Sequence, residues 1–331
     1  MKLSDFDYYL PKELIAQYPL EERDAARLLV IDREKGAIEH RAFRDITDYL
    51  QKGDLLILNN SKVLPSRLIG SRKTGGKVEF LLLRQKPGQG LVFETLIRPG
   101  RVRLNEKVIF SGGKIYGEVT GRNEITFSAD SQEQVYGLGV MPLPPYIKRD
   151  SEELDKVYYQ TIYAKENGSI ASPTAGLHFT EGLLTRLRSR GVGVAHITLH
   201  ISYSTFKPVK CEDLSSHKMD SEYFKIDKET QKMIEDTRVK GGRIFAVGTT
   251  ACRTLETCAS GSKEGHTDLF IYPGYEFRMT DCLVTNFHLP RTTLFMLVCA
   301  FAGEGLMKEA YKEAVDKKYR FYSYGDAMLI L

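Results

Sequence analysis

No cysteine pattern organises this chain. Its five cysteines, Cys211, Cys252, Cys258, Cys282 and Cys299, are odd in number and scattered, and none forms a C-x-x-C pair. Neither a disulfide framework nor a zinc knuckle is indicated, and reduced, mostly buried thiols are expected. Long apolar runs are lacking too. The longest, 294–302, falls far short of the roughly 20 residues that span a bilayer, and no charged-then-apolar signal pattern opens the sequence. A soluble, cytoplasmic protein with no membrane partner is expected. No charge dominates: 47 Lys and Arg against 43 Asp and Glu leave a net +4, which permits an RNA partner without arguing for one. Familiar short signatures are missing as well: there is no H-E-x-x-H pair, G-x-S-x-G elbow, dinucleotide fingerprint or P-loop. His196 and His200 are four apart, but on an expected strand that spacing separates them by about 13 Å. No metal site is expected.

What the chain does contain is enough for two packed units, since 331 residues with 42% hydrophobic content can bury a substantial core. Residues 27–32 and 37–41 around Lys35-Gly36 read as a hairpin, 45–51 as a short helix ended by Gly53, and 55–58 as a strand covered on both faces. From about Ser61 the texture changes to short strand-like runs between Gly-rich turns: 78–83, 92–97, 107–110, 116–119 and 124–127. These predict a small all-β barrel, which the Pro-rich stretch 141–145 leaves as a stiff exit. Beyond it the pattern alternates. Helices are expected at 152–163, 181–190 and 228–239, and from Thr250 and Thr292; strands are expected at 192–201, 243–247 and 268–272. The expectation is an α/β fold: a mixed α/β core domain, 1–61 plus 150–331, with an inserted β-barrel domain at 62–149.

Chemistry concentrates in a few segments. The stretch 171–180, Ala-Ser-Pro-Thr-Ala-Gly-Leu-His-Phe-Thr, offers Thr174, Gly176, His178 and Phe179 just before a helix that Thr180 caps and Gly191 ends. It is either a loop whose histidine packs locally or a ligand loop held on a helix N-terminus. On the strand 192–201 the polar row His196, Thr198 and His200 faces either solvent or a cleft, and Thr205 and Phe206 follow at the strand's carboxyl end, where open α/β sheets bind ligands. At Gly248-Thr249-Thr250 a strand runs into a helix that one of the threonines caps, with Arg253 a turn later, and its exposed N–H groups suit a carboxylate or phosphate. Asn286 and His288 stand at the threshold of an apolar, buried helix. Near the C-terminus an aromatic tail carries Tyr324 and Asp326, which can close a pocket.

Together these segments closely resemble one family, the S-adenosylmethionine:tRNA ribosyltransferase-isomerases of queuosine biosynthesis. The resemblance runs from Asp5-Phe6-Asp7-Tyr8-Tyr9-Leu10-Pro11 and Asn59-Asn60-Ser61-Lys62-Val63 through 173–180, 247–250, Arg253-Thr254-Leu255-Glu256 and 285–290 to 322–328. It implies a ribosyl transfer from S-adenosylmethionine to the 7-aminomethyl-7-deazaguanine at the tRNA wobble position. Adenine and methionine leave, and the sugar is rearranged to give epoxyqueuosine. S-adenosylmethionine is then the ribosyl donor, no metal or redox cofactor is implied, the partner is the tRNA anticodon loop, and a monomer is expected.

Removing the C5′ proton needs a base and departing adenine needs a proton donor; His178, His200 and His288 are the candidates, with roles open. Phe179, Phe206, Phe287 or Tyr324 would face the sulfonium, and Thr249-Thr250 or Arg253 the methionyl carboxylate. Arg98, Arg101, Arg103, Lys317, Lys318 and Arg320 are candidates for RNA phosphates. Two departures stand out: Ser202-Tyr203-Ser204 replaces a Gly-rich turn, and Asp220 stands where a second histidine commonly follows His217-Lys218-Met219. A non-catalytic RNA-binding protein and a small-molecule nucleoside- or glycosyl-processing enzyme are the alternatives.

Overall fold

The computed structural model describes residues 1–203, 209 and 211–331. The chain opens with 3-10 turns and a hairpin, β1 (Arg27–Asp32) and β2 (Ala37–Ala42), whose turn places Gly36 at φ +65. Where a helix is expected at 45–51, a 3-10 segment, Phe43–Asp48, forms instead. The apolar run becomes β3 (Leu55–Asn59), paired with a strand on either side and buried at every position because both faces of the sheet are covered. Through β4 (Ser61–Val63) the chain enters the barrel.

Six antiparallel strands close that barrel: β5 (Arg67–Arg72), β6 (Lys77–Gln85), β7 (Val92–Arg98), β8 (Lys107–Phe110), β9 (Ile115–Gly121) and β10 (Glu124–Phe127), in the order β10-β7-β6-β5-β8-β9. Closure removes exposed edges, and the alternating burial along β6 shows one face turned inward. The lumen is filled by Leu68, Phe80, Phe93, Val108, Phe110 and Ile125, so it is a packed core and not a channel. Gly70 and Gly117 make that packing possible: a Cβ would lie 2.4 Å from Val108 and 2.5 Å from Ile125 respectively. β5 was not among the expected strands, because Gly70 interrupts its apolar alternation.

Leaving through the short helix α1 (Gln132–Tyr136) and an extended segment, the chain forms α2 (Glu153–Tyr158), shorter than the helix expected over 152–163, and β11 (Glu166–Ser169), which pairs parallel with β4. Then come α3 (Glu181–Ser189), β12 (Gly193–Leu199), β13 (Glu222–Lys225), α4 (Lys228–Val239), β14 (Ile244–Val247) and α5 (Thr249–Cys258). The chain finishes with β15 (Glu264–Thr267), β16 (Cys282–Asn286), α6 (Thr293–Ala302), α7 (Glu304–Asp316) and β17 (Ala327–Ile330). The strand expected at 268–272 lies instead at β15, and Gly303, at φ +88, splits the C-terminal helical stretch into two helices.

Nine strands form the core sheet in the order β15-β13-β12-β3-β14-β16-β17-β1-β2. The four central ones, β12, β3, β14 and β16, run parallel. One face buries Ile57, Ala195 and Ala246 against α5, α6 and α7, with Leu255, Phe295 and Met307 in the contact. The other packs Leu56, Leu58 and Phe245 on the apolar stripe of α3, Leu183, Leu184 and Leu187. Thr180 caps α3 by accepting from the Leu183 amide at 3.1 Å. No helix among the described residues is long and apolar enough to cross a membrane.

Candidate active site

The carboxyl ends of β3, β14 and β16 point to one edge of the sheet, and β17 runs opposite to β16, so its lead-in returns to that edge. From β3 the chain goes to β12 on one side and later to β14 on the other. That reversal opens a crevice at the end of β3, the place where α/β sheets bind ligands. A narrow pocket of ≈ 70 Å³ lies there. Four segments that the sequence singles out meet around it: 172–175, 248–250, 285–288 and 322–323.

Gly248, at φ +88, is the N-cap of α5, which has no side-chain cap. Neither Thr249 nor Thr250 caps the helix, contrary to expectation: both already lie in its first turn. The positive end of the helix dipole is thus turned to the pocket without a side chain to neutralise it. Thr250 Oγ1 instead accepts from Asn59 Nδ2 at 3.2 Å, and the same amide donates to the Leu199 carbonyl at 3.0 Å while its oxygen accepts from the Leu199 and Ser61 amides. Asn59 therefore locks the ends of β3 and β12 to the start of α5.

Asn286, the last residue of β16, is held by a directed chain. Thr174 Oγ1 donates to its Oδ1 at 2.9 Å, and its Nδ2 donates to His178 Nε2 at 3.0 Å and to the Asp326 carbonyl at 3.4 Å. Accepting at Nε2 places the His178 proton on Nδ1. The ring is buried on Phe43, 4.9 Å between centroids, and burial pushes its pKa down to about 4. His178 thus stands one hydrogen bond behind the pocket wall. His288 lies on the wall itself, its Nε2 3.0 Å from Thr285 Oγ1, and burial pushes it down to about 3. Its backbone is braced on both sides, the amide donating to the Tyr311 hydroxyl at 3.0 Å and the carbonyl accepting from the Tyr8 hydroxyl.

Other expected site residues are placed elsewhere. His200 Nδ1 lies 2.7 Å from Ser61 Oγ, whose own proton goes to Ser169, and its ring covers Gly168, where a Cβ would meet it at 2.7 Å. It buttresses the β4–β11 junction outside the pocket. Phe179 is fully buried edge-on against Phe43 and offers no face to a cation. Phe287 does line the pocket, but its ring is packed among Tyr311, Tyr319 and Phe321. Gly176 is a close-approach glycine, since a Cβ there would lie 2.0 Å from the Tyr163 hydroxyl.

Arg253 is turned under α5 into a buried ion pair with Glu222 at 2.6 Å and also donates to the Leu269 carbonyl. Tyr324 donates to buried Asp155 at 2.7 Å, and Asp326 accepts from the Arg27 and Arg320 amides and from the Arg27 side chain. These two shape the C-terminal loop from behind. Arg320 is braced by its bond to the Tyr18 carbonyl. Thr205 and Phe206 lie outside the described residues.

Several pocket residues were not expected: Tyr146, Tyr159, Thr285, Tyr322 and Ser323 line it, together with Ser172 of the expected ligand loop 171–180. Among the described residues, Ser172 Oγ and the Tyr159 hydroxyl are buried without a hydrogen-bond partner, a state that native proteins largely avoid and that suits groups waiting for a ligand. The Tyr146 hydroxyl and Ser323 Oγ lie 2.5 Å apart, and the Tyr146 and Tyr322 rings meet edge to face. Ser172 and Tyr322 sit inside or beside motifs already singled out; Tyr146 follows the proline run, which reads from sequence as a mere connector. Among the described residues no group of three or more His, Cys, Asp or Glu side chains could hold a metal ion.

The chain is similar over its full length to the S-adenosylmethionine:tRNA ribosyltransferase-isomerases of Sulfurihydrogenibium sp. (strain YO3AOP1) and Thermosipho africanus (strain TCF52B), each 52% identical with 100% of both chains covered. The crystal structure of the S-adenosylmethionine tRNA ribosyltransferase of Thermotoga maritima is 39% identical, with a TM-score of 0.58, covering 99% of this chain and 100% of that one. The family model described as queuosine biosynthesis protein matches residues 3–330, and the chain belongs to that family.

Proposed function

We propose that this enzyme transfers the ribosyl part of S-adenosylmethionine to the aminomethyl group of a 7-deazaguanine at the tRNA wobble position and rearranges it, giving epoxyqueuosine-tRNA with release of adenine and methionine. One observation carries the reading: four loop segments converge on a single pocket at the ends of β14 and β16, in a chain whose full-length relatives are named for this reaction. Residues 1–61 and 150–331 are the catalytic unit and 62–149 the unit that faces RNA. The protein acts as a cytoplasmic monomer on two substrates, with no resident metal or redox cofactor.

The residue types divide the work. His288, kept neutral by burial, is the group able to take the proton next to the sulfonium. The Tyr159 and Tyr322 phenols, raised by burial, stay protonated, and with Ser172 they supply donors for departing adenine. The uncapped start of α5 takes the methionyl carboxylate, since Arg253 is committed to Glu222. Tyrosine rings 146, 159 and 322 flank the sulfonium. His178 orients Asn286 and transfers no proton. At ≈ 70 Å³ the pocket is far below the roughly 300 Å³ of ordinary ligand sites, so its tyrosine wall moves outward on binding.

With tRNA carrying the aminomethyl-deazaguanine, S-adenosylmethionine should yield adenine and methionine in equal amounts, and His288→Ala should abolish both while leaving the fold intact. Production of S-adenosylhomocysteine instead sinks the proposal. RNA binding that survives with no turnover in the unmodified protein would make it a binding module.

A further inference from the structure

A second and much larger space adjoins the pocket. Between the outer face of β5, β6 and β7 and the segment 142–150 runs a cleft of ≈ 570 Å³, within the range of ordinary ligand sites. It and the pocket share one partition. In each of three segments, neighbouring residues serve opposite sides: Ile170 lines the cleft and Ala171 the pocket, Pro145 and Ile147 the cleft and Tyr146 the pocket, Tyr203 the cleft and Ile201 the pocket.

The cleft's chemistry differs from the pocket's. Four cations, Arg67, Arg98, Lys148 and Arg149, face two carboxylates, Glu79 and Asp150. Arg67 is paired with Glu79 and Arg149 with Asp155. Arg98 and Lys148 are exposed and, among the described residues, bond neutral oxygens, the Tyr203 hydroxyl at 3.4 Å and the Pro145 carbonyl at 2.6 Å, and form no ion pair, which leaves their charges to an anion. Leu81, Leu96, Pro144 and Ile170 add apolar surface to the walls. Guanidinium and ammonium groups beside apolar side chains and a tyrosine are the combination that holds an unstacked nucleotide, phosphate on the cations and base against the apolar side chains or the tyrosine ring.

We infer that this cleft receives the acceptor nucleotide of the RNA, turned out of the anticodon loop, while the sulfonium nucleoside occupies the pocket across the 142–149 partition. The inference rests on the ribosyl-transfer reading and adds where the second substrate sits. A base inside a stacked loop cannot bring its amine to a buried sugar, so the nucleotide must leave the stack. The cleft is large enough for it, carries four cations where the comparably large space beside Ser169 and Ile170 has only Arg84, and is separated from the pocket by the partition's thickness.

The test uses full-length Arg98→Ala, Lys148→Ala and unmodified protein with an anticodon stem-loop RNA, binding followed by fluorescence anisotropy across a salt series. Lys240→Ala, at the exposed end of α4, is the control. Each cleft substitution should weaken binding and reduce the slope of log K against log salt by about 0.7, the value for one single-strand phosphate contact, and the control should do neither. Unchanged slopes in both cleft variants, or an equal drop in the control, overturn the inference. Adenine release by the unmodified protein, assayed in parallel with substrate tRNA, keeps the two readings apart. Release together with unchanged slopes removes the cleft and leaves ribosyl transfer standing. Lowered slopes without release keep the cleft as an RNA site and remove the transfer.

Discussion

His178 shows how a single residue can matter to a site it does not touch. Its Nε2 accepts from Asn286, whose oxygen accepts from Thr174, so the imidazole decides which way the amide faces and leaves the Thr174 lone pairs turned to the pocket. His178→Ala should therefore lower kcat by roughly 10- to 100-fold, the range for losing an orienting partner in metal sites. His178→Gln, which keeps an acceptor, should recover part of it, and a variant series in which Gln is no better than Ala would contradict the orienting role. Acid titration gives a second check. Both His178 and His288 have pKa values pushed below the ordinary 6.5, to about 4 and about 3. As pH falls below 6.5 the unfolded chain binds these protons first, so stability is full above that value and is lost progressively toward pH 3. The urea midpoint should drop steadily between about pH 7 and about pH 4, and kcat should show no limb near 6.5 if His288 is the base. The candidate segments were legible because Gly, Pro, Asn and His in short runs have few structural excuses. Which imidazole reached the pocket was not, because it depends on how the 174–178 turn packs against the end of β16, which no local spacing encodes.

Elements with a strong period could be read directly. α4 spans Lys228–Val239 and α3 starts at its Thr180 cap, since amphipathic spacing and capping residues act locally. Short strands could be read only in part. β8 and β10 match their expected bounds, whereas β16 and β17, runs of five and four residues buried throughout, become strands only because neighbours across the sheet take up their backbone groups. Arg253 illustrates the same limit. Its place one turn into α5 suggested an anion site, yet β13, an unexpected strand, brings Glu222 beneath it. Arg253→Met should cost about 3–5 kcal/mol by leaving that carboxylate buried without its guanidinium, whereas Arg253→Met with Glu222→Leu should cost clearly less. Urea denaturation of the two variants and of Glu222→Leu decides this, and equal losses in all three would show no coupling.

At the scale of the molecule, the segment 142–149 belongs to two structures at once. Burial pushes the Asp155 carboxyl up, but Arg149, the Glu152 amide and Tyr324 outweigh it and hold it low. This one fully buried carboxylate thereby fastens the barrel's exit to the C-terminal loop. Asp155→Ala should lose about 3–5 kcal/mol of stability and, because Tyr324 adjoins Ser323, raise KM for S-adenosylmethionine more than a distant core mutation of equal cost such as Val119→Ala. Matching KM values in the two variants would confine Asp155 to a structural role. The double membership of Tyr146 has a further consequence for inheritance. Counted along the chain it travels with the barrel, while in space it closes the pocket of the other unit against Ser323. A chimera that swaps residues 67–127 with a relative should keep adenine release, and one extended to residue 149 should lose it wherever the donor's strap carries a different side chain at position 146. The seam at which evolution can cut this protein is thus not the seam at which it folds.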